Sequence, residues 1–171
     1  AYHKWIAYSL SWKKERNASM TDLQFPFPYR EGQREIVSGV YHTVSSKKTL
    51  FVQAPTGVGK TMSAIFPSVR AIGEGKGETL FYLTAKTITG TVAWEAFHTL
   101  RENGLKFKVT AITAKEKLCF LDSPECTPEK CPYAKGHFDR VNDAVYELWT
   151  TEEVYSREVI RAHAEKWQVC P

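Results

Sequence analysis

The sequence predicts an α/β protein in which helices cover both faces of a parallel β-sheet, joined to a mainly helical insertion with four cysteines. Three observations lead to this class. Apolar runs that suit buried strands alternate with helical patterns along the first part of the chain. A glycine-rich loop joins the first predicted strand to the helix after it. Every cysteine follows the third predicted strand.

The elements can be justified in chain order. Residues 2–20 form an amphipathic helix whose apolar side carries Trp5, Tyr8 and Trp12. The prolines of residues 25–28 end this helix and favour an extended stretch. A second helix is predicted for residues 29–44. The remaining elements are predicted strands at 49–53, 79–83 and 107–112, and predicted helices at 60–72, 88–103, 136–149 and 154–167.

This pattern divides the chain into three predicted regions. Residues 1–28 are an N-terminal helix with an extended linker, residues 29–118 are the α/β core, and residues 119–171 are the cysteine-containing insertion. The insertion stops at its last cysteine without a closing element, so we expect the chain to be a fragment of a larger protein.

Composition and charge narrow the class of protein. The chain has 171 residues, no apolar run of membrane-spanning length and no secretory signal, so a cytoplasmic or nuclear protein is expected, cytoplasmic by preference. Residues 1–118 carry a net charge of +8 and residues 119–171 a net charge of −4. A basic body suits a polyanionic partner such as nucleic acid, although surface solubility explains it equally well.

The glycine-rich loop has the chemistry of a phosphate-binding site. It reads Ala54-Pro55-Thr56-Gly57-Val58-Gly59-Lys60-Thr61. Its glycines allow backbone N–H groups to converge on an anion, and the following helix adds the positive end of its dipole. Lys60 can reach the β- and γ-phosphates of a nucleotide, and the Thr61 hydroxyl is a candidate Mg²⁺ ligand. The loop departs from the strict pattern at Ala54, where a glycine would stand.

The four cysteines are a second candidate site. Cys119, Cys126, Cys131 and Cys170 are separated by six, four and 38 residues. Disulfides are not expected in a chain without a secretory signal. Four thiolates can hold either a zinc ion or a four-iron, four-sulfur cluster. The third possibility is that the cysteines are structural and bind no metal. His137 is a possible additional ligand, but its expected place is a solvated helix face.

Together these motifs resemble the XPD/DinG-like iron–sulfur helicases of superfamily two. The resemblance is carried by the A-P-T-G-x-G-K-T loop, by the cysteines after the third predicted strand, and by Lys115-Glu116-Lys117-Leu118-Cys119. It implies a RecA-like motor core, ATP and Mg²⁺ as ligands, and a [4Fe-4S] cluster held by the cysteines. The implied activity is ATP hydrolysis coupled to 5′→3′ translocation on single-stranded or forked DNA.

The same resemblance assigns further residues. The segment 27–33 is similar to the family's adenine-binding segment, so Arg30 and Gln33 are candidate base contacts; ordinary helix N-terminal chemistry is the alternative. Residues 82–87 are similar to a motif that contacts the DNA backbone, which makes Thr84, Lys86 and Thr87 candidate phosphate contacts, or else a plain helix start. The basic residues Lys115 and Lys117 are further candidates.

Two consequences and two alternatives complete the interpretation. No acidic Asp-Glu-x-His segment or second motor domain follows the cysteines, so the isolated chain is expected to bind nucleotide weakly and to hydrolyse it negligibly. The rest of the motor is therefore an expected partner. The alternatives are a zinc-containing P-loop ATPase that acts on RNA or protein, and a non-catalytic module that binds nucleic acid.

Overall fold

The computed structural model describes residues 2–85, 87–122 and 125–171, apart from the side chains of residues 87–89. The helices predicted from sequence are confirmed to within a few residues at their ends. The elements are α1 (Tyr2–Asp22), α2 (Gln33–Ser45), α3 (Lys60–Gly73), α4 (Thr87–Glu102), β1 (Val109–Thr110), α5 (Lys115–Leu118), α6 (His137–Thr151), β2 (Val154–Tyr155) and α7 (Arg157–Trp167).

The predicted RecA-like parallel sheet with helices on both faces is wrong. Helices make up 55% of the chain, and the sheet in the described residues consists of the two short parallel strands β1 and β2. Val109 pairs with Val154 and Thr110 with Tyr155. No helix in this part of the chain is both long and apolar enough to cross a membrane.

The reason for the error lies in the segments 49–53 and 79–83. A strand of a parallel sheet needs neighbours that satisfy its backbone and helices that cover its side chains. Here both segments are irregular, and Phe51, Phe81 and Leu83 are 93%, 71% and 88% exposed. Their apolar composition predicted buried strands, but it carried no information about which segments would pair with them.

Residues 9–107 form one compact unit, in which α3 is the central helix. Helix α3 packs against α2 and α4. Ile65, Val69 and Ile72 are spaced for one face of α3 and are fully or almost fully buried, and Leu100 of α4 is also buried. This apolar face fixes α3 in place, and the start of α3 is the end of the candidate phosphate-binding loop.

The second compact unit consists of the described residues of 1–8 and 108–171. Helices α6 and α7 pack on each other around a small core of Ala144, Ala164 and Val169. At the other end of α6, Trp149 stacks on Trp5 with ring centroids 5.5 Å apart and meets Tyr8 edge-on at 4.7 Å. The aromatic side of the first helix therefore serves as packing surface, as the sequence predicted.

Replacement of Gly73 by alanine is expected to destabilise the unit of residues 9–107. A Cβ at this position would lie 2.5 Å from the Cβ of Met20 and 3.2 Å from backbone atoms of Asn17 and Thr21, so α1 and α3 would have to separate. We expect a loss of about 1–3 kcal/mol in the free energy of unfolding, measured by urea denaturation. The control is Gly90→Ala in α4, where a Cβ meets nothing within 4 Å and should stabilise by about 0.5–1 kcal/mol. Equal midpoints for the two variants would contradict the close packing.

Candidate functional site

The loop of residues 54–59 leads directly into the N-terminus of α3. Gly57 and Gly59 have positive φ angles of 87° and 85°, which side-chain-bearing residues adopt only at a cost. The N–H of Ser63 donates to the Gly59 carbonyl at 3.0 Å and opens the helical ladder. The N–H groups of the residues between them precede that ladder, as at every helix start. Together with the helix dipole, they make this end of α3 suited to an anion.

The Lys60 ammonium lies across the beginning of the loop. Its Nζ donates to the carbonyl oxygens of Ala54 at 2.8 Å and Pro55 at 2.6 Å. A lysine side chain has three rotatable donors, so the ammonium can turn from a carbonyl to a phosphate oxygen without leaving the loop. The candidate phosphate-binding residue is thus held over the loop by two backbone carbonyls that a phosphate could replace.

Thr61 has a partner that the sequence analysis missed. The Tyr82 hydroxyl donates to Thr61 Oγ1 at 3.4 Å. Tyr82 lies in the segment 79–83, which was predicted as a buried strand, and at the start of the segment 82–87, but no contact to the loop was predicted for it. The available signal was the hydroxyl itself, since a phenol among apolar residues usually finds a polar partner when it is partly buried.

Arg30 and Gln33 are brought against the loop by the start of α2. The Gln33 side chain is 3% exposed, and its Oε1 accepts the Arg30 backbone N–H at 3.1 Å. A Cβ added to Gly59 would lie 2.4 Å from Gln33 Nε2, which measures how closely the amide approaches the loop. The Arg30 guanidinium donates to the Gly57 carbonyl. The two residues therefore line the loop, and base contact by them stays a prediction.

The four cysteines lie in the other unit and are all free thiols. Cys131 is buried, Cys119 and Cys170 are partly buried, and Cys126 is exposed. Burial raises the pKa of the Cys170 thiol; Lys115 opposes this shift, and Cys119, Cys126 and Cys131 add to it. The other three cysteines and Lys115 therefore all act on the Cys170 thiol. Among the described residues, however, no group of three or more His, Cys, Asp or Glu side chains has the geometry to hold a single metal ion.

Two donors point at the cysteine sulfurs. Lys115 Nζ lies 3.4 Å from Cys126 Sγ, and this hydrogen bond raises the pKa of the Lys115 ammonium, with further contributions from the charges of Cys126, Cys170 and Cys119. The backbone N–H of Leu121 donates to Cys119 Sγ at 3.4 Å. Such contacts stabilise thiolates, the form in which cysteine binds metals.

His137 was predicted on a solvated helix face, and this prediction is wrong. The residue is partly buried at the first position of α6, where its Nδ1 accepts the backbone N–H of Cys170 at 3.2 Å. The contact joins residues 33 positions apart. No local pattern could have indicated it.

The residues predicted to contact nucleic acid have different surroundings. Thr84, Lys115 and Lys117 are exposed, whereas Lys86 and the side chain of Thr87 lie outside the described residues. The Lys115 ammonium is directed at Cys126 rather than only at solvent. Phosphate contact by these residues stays a prediction.

Comparison with known proteins gives one local likeness. Over 47 residues, or 27% of its length, the chain is 40% identical to a probable ATP-dependent helicase of Methanocaldococcus jannaschii. The chain spans only 7% of that protein's length. No protein-family model matches the chain, and no solved structure matches it.

Proposed function

We propose that this chain is the nucleotide-binding part of a helicase-related protein and that residues 54–61 bind ATP with Mg²⁺. The observation that carries the proposal is the Gly59–Lys60 junction, where a left-handed glycine turns the loop into the start of α3 and the Lys60 ammonium lies over the loop. The local likeness to a probable ATP-dependent helicase supports the same class.

The proposal assigns separate tasks to Lys60, to Thr61 and to the residues that lie against the loop. The N–H groups at the start of α3 bind phosphate oxygens, and Lys60 neutralises the β- and γ-phosphates. The Thr61 hydroxyl would hold Mg²⁺. The Tyr82 hydroxyl, 3.4 Å away, would orient the Thr61 hydroxyl. Arg30 and Gln33 lie against the loop and would contact the base.

For the cysteines we propose a [4Fe-4S] cluster held by Cys119, Cys126, Cys131 and Cys170. The chemistry of the donor set fits, because the four thiols are free, Lys115 donates to Cys126, and the Leu121 N–H donates to Cys119. Among the described residues no group of three or more His, Cys, Asp or Glu is arranged to hold a metal ion, so the support for a cluster is the donor chemistry rather than a preformed geometry. Bound there, it would cross-link segments that have only a small apolar core.

The larger activity proposed is that of an ATP-dependent DNA helicase. In it, ATP hydrolysis would drive 5′→3′ translocation on single-stranded DNA and the unwinding of forked DNA, together with the remaining motor. Thr84, Lys86, Thr87, Lys115 and Lys117 would contact DNA phosphates. The net charge of +8 on residues 1–118 supports a polyanionic partner.

Replacement of Lys60 by alanine tests the nucleotide site. We expect the dissociation constant for a fluorescent ATP analogue with Mg²⁺ to rise at least about tenfold, because one charge-assisted contact to phosphate is lost. The measurement is a fluorescence titration of the whole chain. The control is Lys76→Ala, an exposed lysine beyond the end of α3, which should bind as the wild type does. Unchanged binding by Lys60→Ala, or no wild-type binding at millimolar nucleotide, would refute the proposal.

A further inference from the structure

The cysteine segments raise the question of what holds them in position. Cys119 directly follows the short helix α5, Cys131 lies in the irregular stretch before α6, and Cys170 follows the end of α7. The buried core nearby consists of Ala144, Ala164 and Val169, which offer little apolar area. Polar contacts to the backbone must therefore carry much of the positioning.

Arg140, on the first turn of α6, binds two of these segments with one guanidinium. Its Nε donates to the Trp167 carbonyl at 3.0 Å, and its Nη2 donates to the carbonyls of Lys135 at 2.8 Å and Gln168 at 2.6 Å. Lys135 lies four residues after Cys131, and Gln168 lies two residues before Cys170. The guanidinium therefore sets the distance between the backbones that carry these two cysteines.

The backbone next to Arg140 is shaped to admit the guanidinium. Gly136 precedes α6 with a φ of 66°, and a Cβ added to it would lie 2.6 Å from Arg140 Nη1. The same turn of α6 carries His137, whose Nδ1 accepts the Cys170 N–H. The first turn of α6 thus binds the Cys170 segment through both a donor and an acceptor.

Arg161 of α7 performs the corresponding task for the first cysteine. Its Nη1 donates to the carbonyls of Leu118 at 2.7 Å and Cys119 at 2.8 Å. The guanidinium also lies 4.5 Å from the ring centroid of Phe120, which packs against the small core. Arg161 thus donates to two backbone carbonyls while its charged group lies near an aromatic ring.

We propose that Arg140 and Arg161 are positioning residues of the four-cysteine site, which hold the backbones of Cys119, Cys131 and Cys170 at a fixed spacing. Cys126 is exposed and is bound through its side chain to Lys115 instead. The identity of the bound group rests on the proposed function, whereas the positioning does not. A metal-free measurement can therefore separate the two.

The test compares Arg140→Met, Arg140→Lys and Arg161→Met in the whole chain, with Arg157→Met as control because Arg157 is an exposed arginine of α7. The first readout is the alkylation rate of each cysteine in the reduced, metal-free chain, mapped by mass spectrometry. The second is iron and sulfide content after anaerobic reconstitution. Amide hydrogen exchange in α6 and α7 reports unfolding of the unit that contains both arginines.

We expect Arg140→Met to speed the alkylation of buried Cys131 about tenfold and Arg161→Met to do the same for Cys119, because local opening becomes easier. Bound iron should fall below half of the wild-type value in both. Arg140→Lys should not restore it, since one ammonium cannot span three carbonyls. Arg157→Met should match the wild type in every readout.

Wild-type alkylation rates in both arginine variants would overturn the proposal. Faster exchange throughout α6 and α7 would also overturn it, because the arginines would then support the folding of the whole unit rather than the site. If the wild type binds no iron but the variants still alkylate faster, the positioning is supported and the cluster assignment fails. If iron binds equally in all variants, the cluster assignment stands and the positioning fails.

Discussion

Replacement of Gly59 by alanine is expected to abolish nucleotide binding at concentrations that saturate the wild type. Gly59 has a φ of 85°, and holding an alanine in left-handed backbone costs about 1–2 kcal/mol. Its new Cβ would also lie 2.4 Å from Gln33 Nε2, and Gln33 is buried, so the amide has little room to retreat. The loop must then change its backbone conformation, and the N–H groups at the start of α3 turn away from the phosphates.

The matched control for this variant is Gly57→Ala. Gly57 has nearly the same φ of 87°, but a Cβ there meets nothing within 4 Å. The comparison separates backbone strain from the close approach of Gln33. We expect the dissociation constant of Gly57→Ala for fluorescent ATP to rise about tenfold, less than that of Gly59→Ala. A Gly59→Ala chain that binds within twofold of the wild type would show that the loop does not act as a phosphate cradle.

The helices could be predicted from sequence because their signals are local. The predicted range 60–72 differs from α3 by one residue at its C-terminal end, and 88–103 differs from α4 by one residue at each end. Apolar spacing and flanking glycines define both helices. The sheet could not be predicted in the same way. The segment 109–110 pairs with 154–155, which lies across α6 in the chain, and such a partner is fixed by tertiary packing rather than by local composition.

The candidate site likewise contains residues that the sequence reveals and residues that only the folded chain brings together. The loop 54–61 and the four cysteines are visible in the sequence, because their residue types and spacing are chemically restrictive. Tyr82 and His137 were missed, since each contributes one polar atom to a partner far along the chain. The contacts of arginines such as Arg140 could not be predicted from the sequence, because their partners are backbone carbonyls and every residue has one.

Replacement of Cys126 by serine is expected to remove most of the bound iron and sulfide. Cys126 is exposed, so the substitution disturbs no core packing, and its serine hydroxyl can still accept from Lys115. Without the metal cross-link, the segments around residues 119–170 depend on a core of small residues and on the arginine contacts. We therefore expect faster amide exchange in residues 119–170 and unchanged exchange in residues 9–107, which form a separate compact unit.

The experiment uses chain purified without oxygen, with iron, sulfide and zinc measured beside the visible absorption spectrum. The control is Thr127→Ala, the exposed neighbour of Cys126, which should keep the wild-type metal content. About four irons and four sulfides in the wild type, lost in Cys126→Ser, would support the cluster and the iron–sulfur helicase proposal. One zinc and no iron would instead indicate a zinc-containing ATPase. Metal loss without faster exchange in residues 119–170 would mean that the arginine contacts hold these segments without help from the metal.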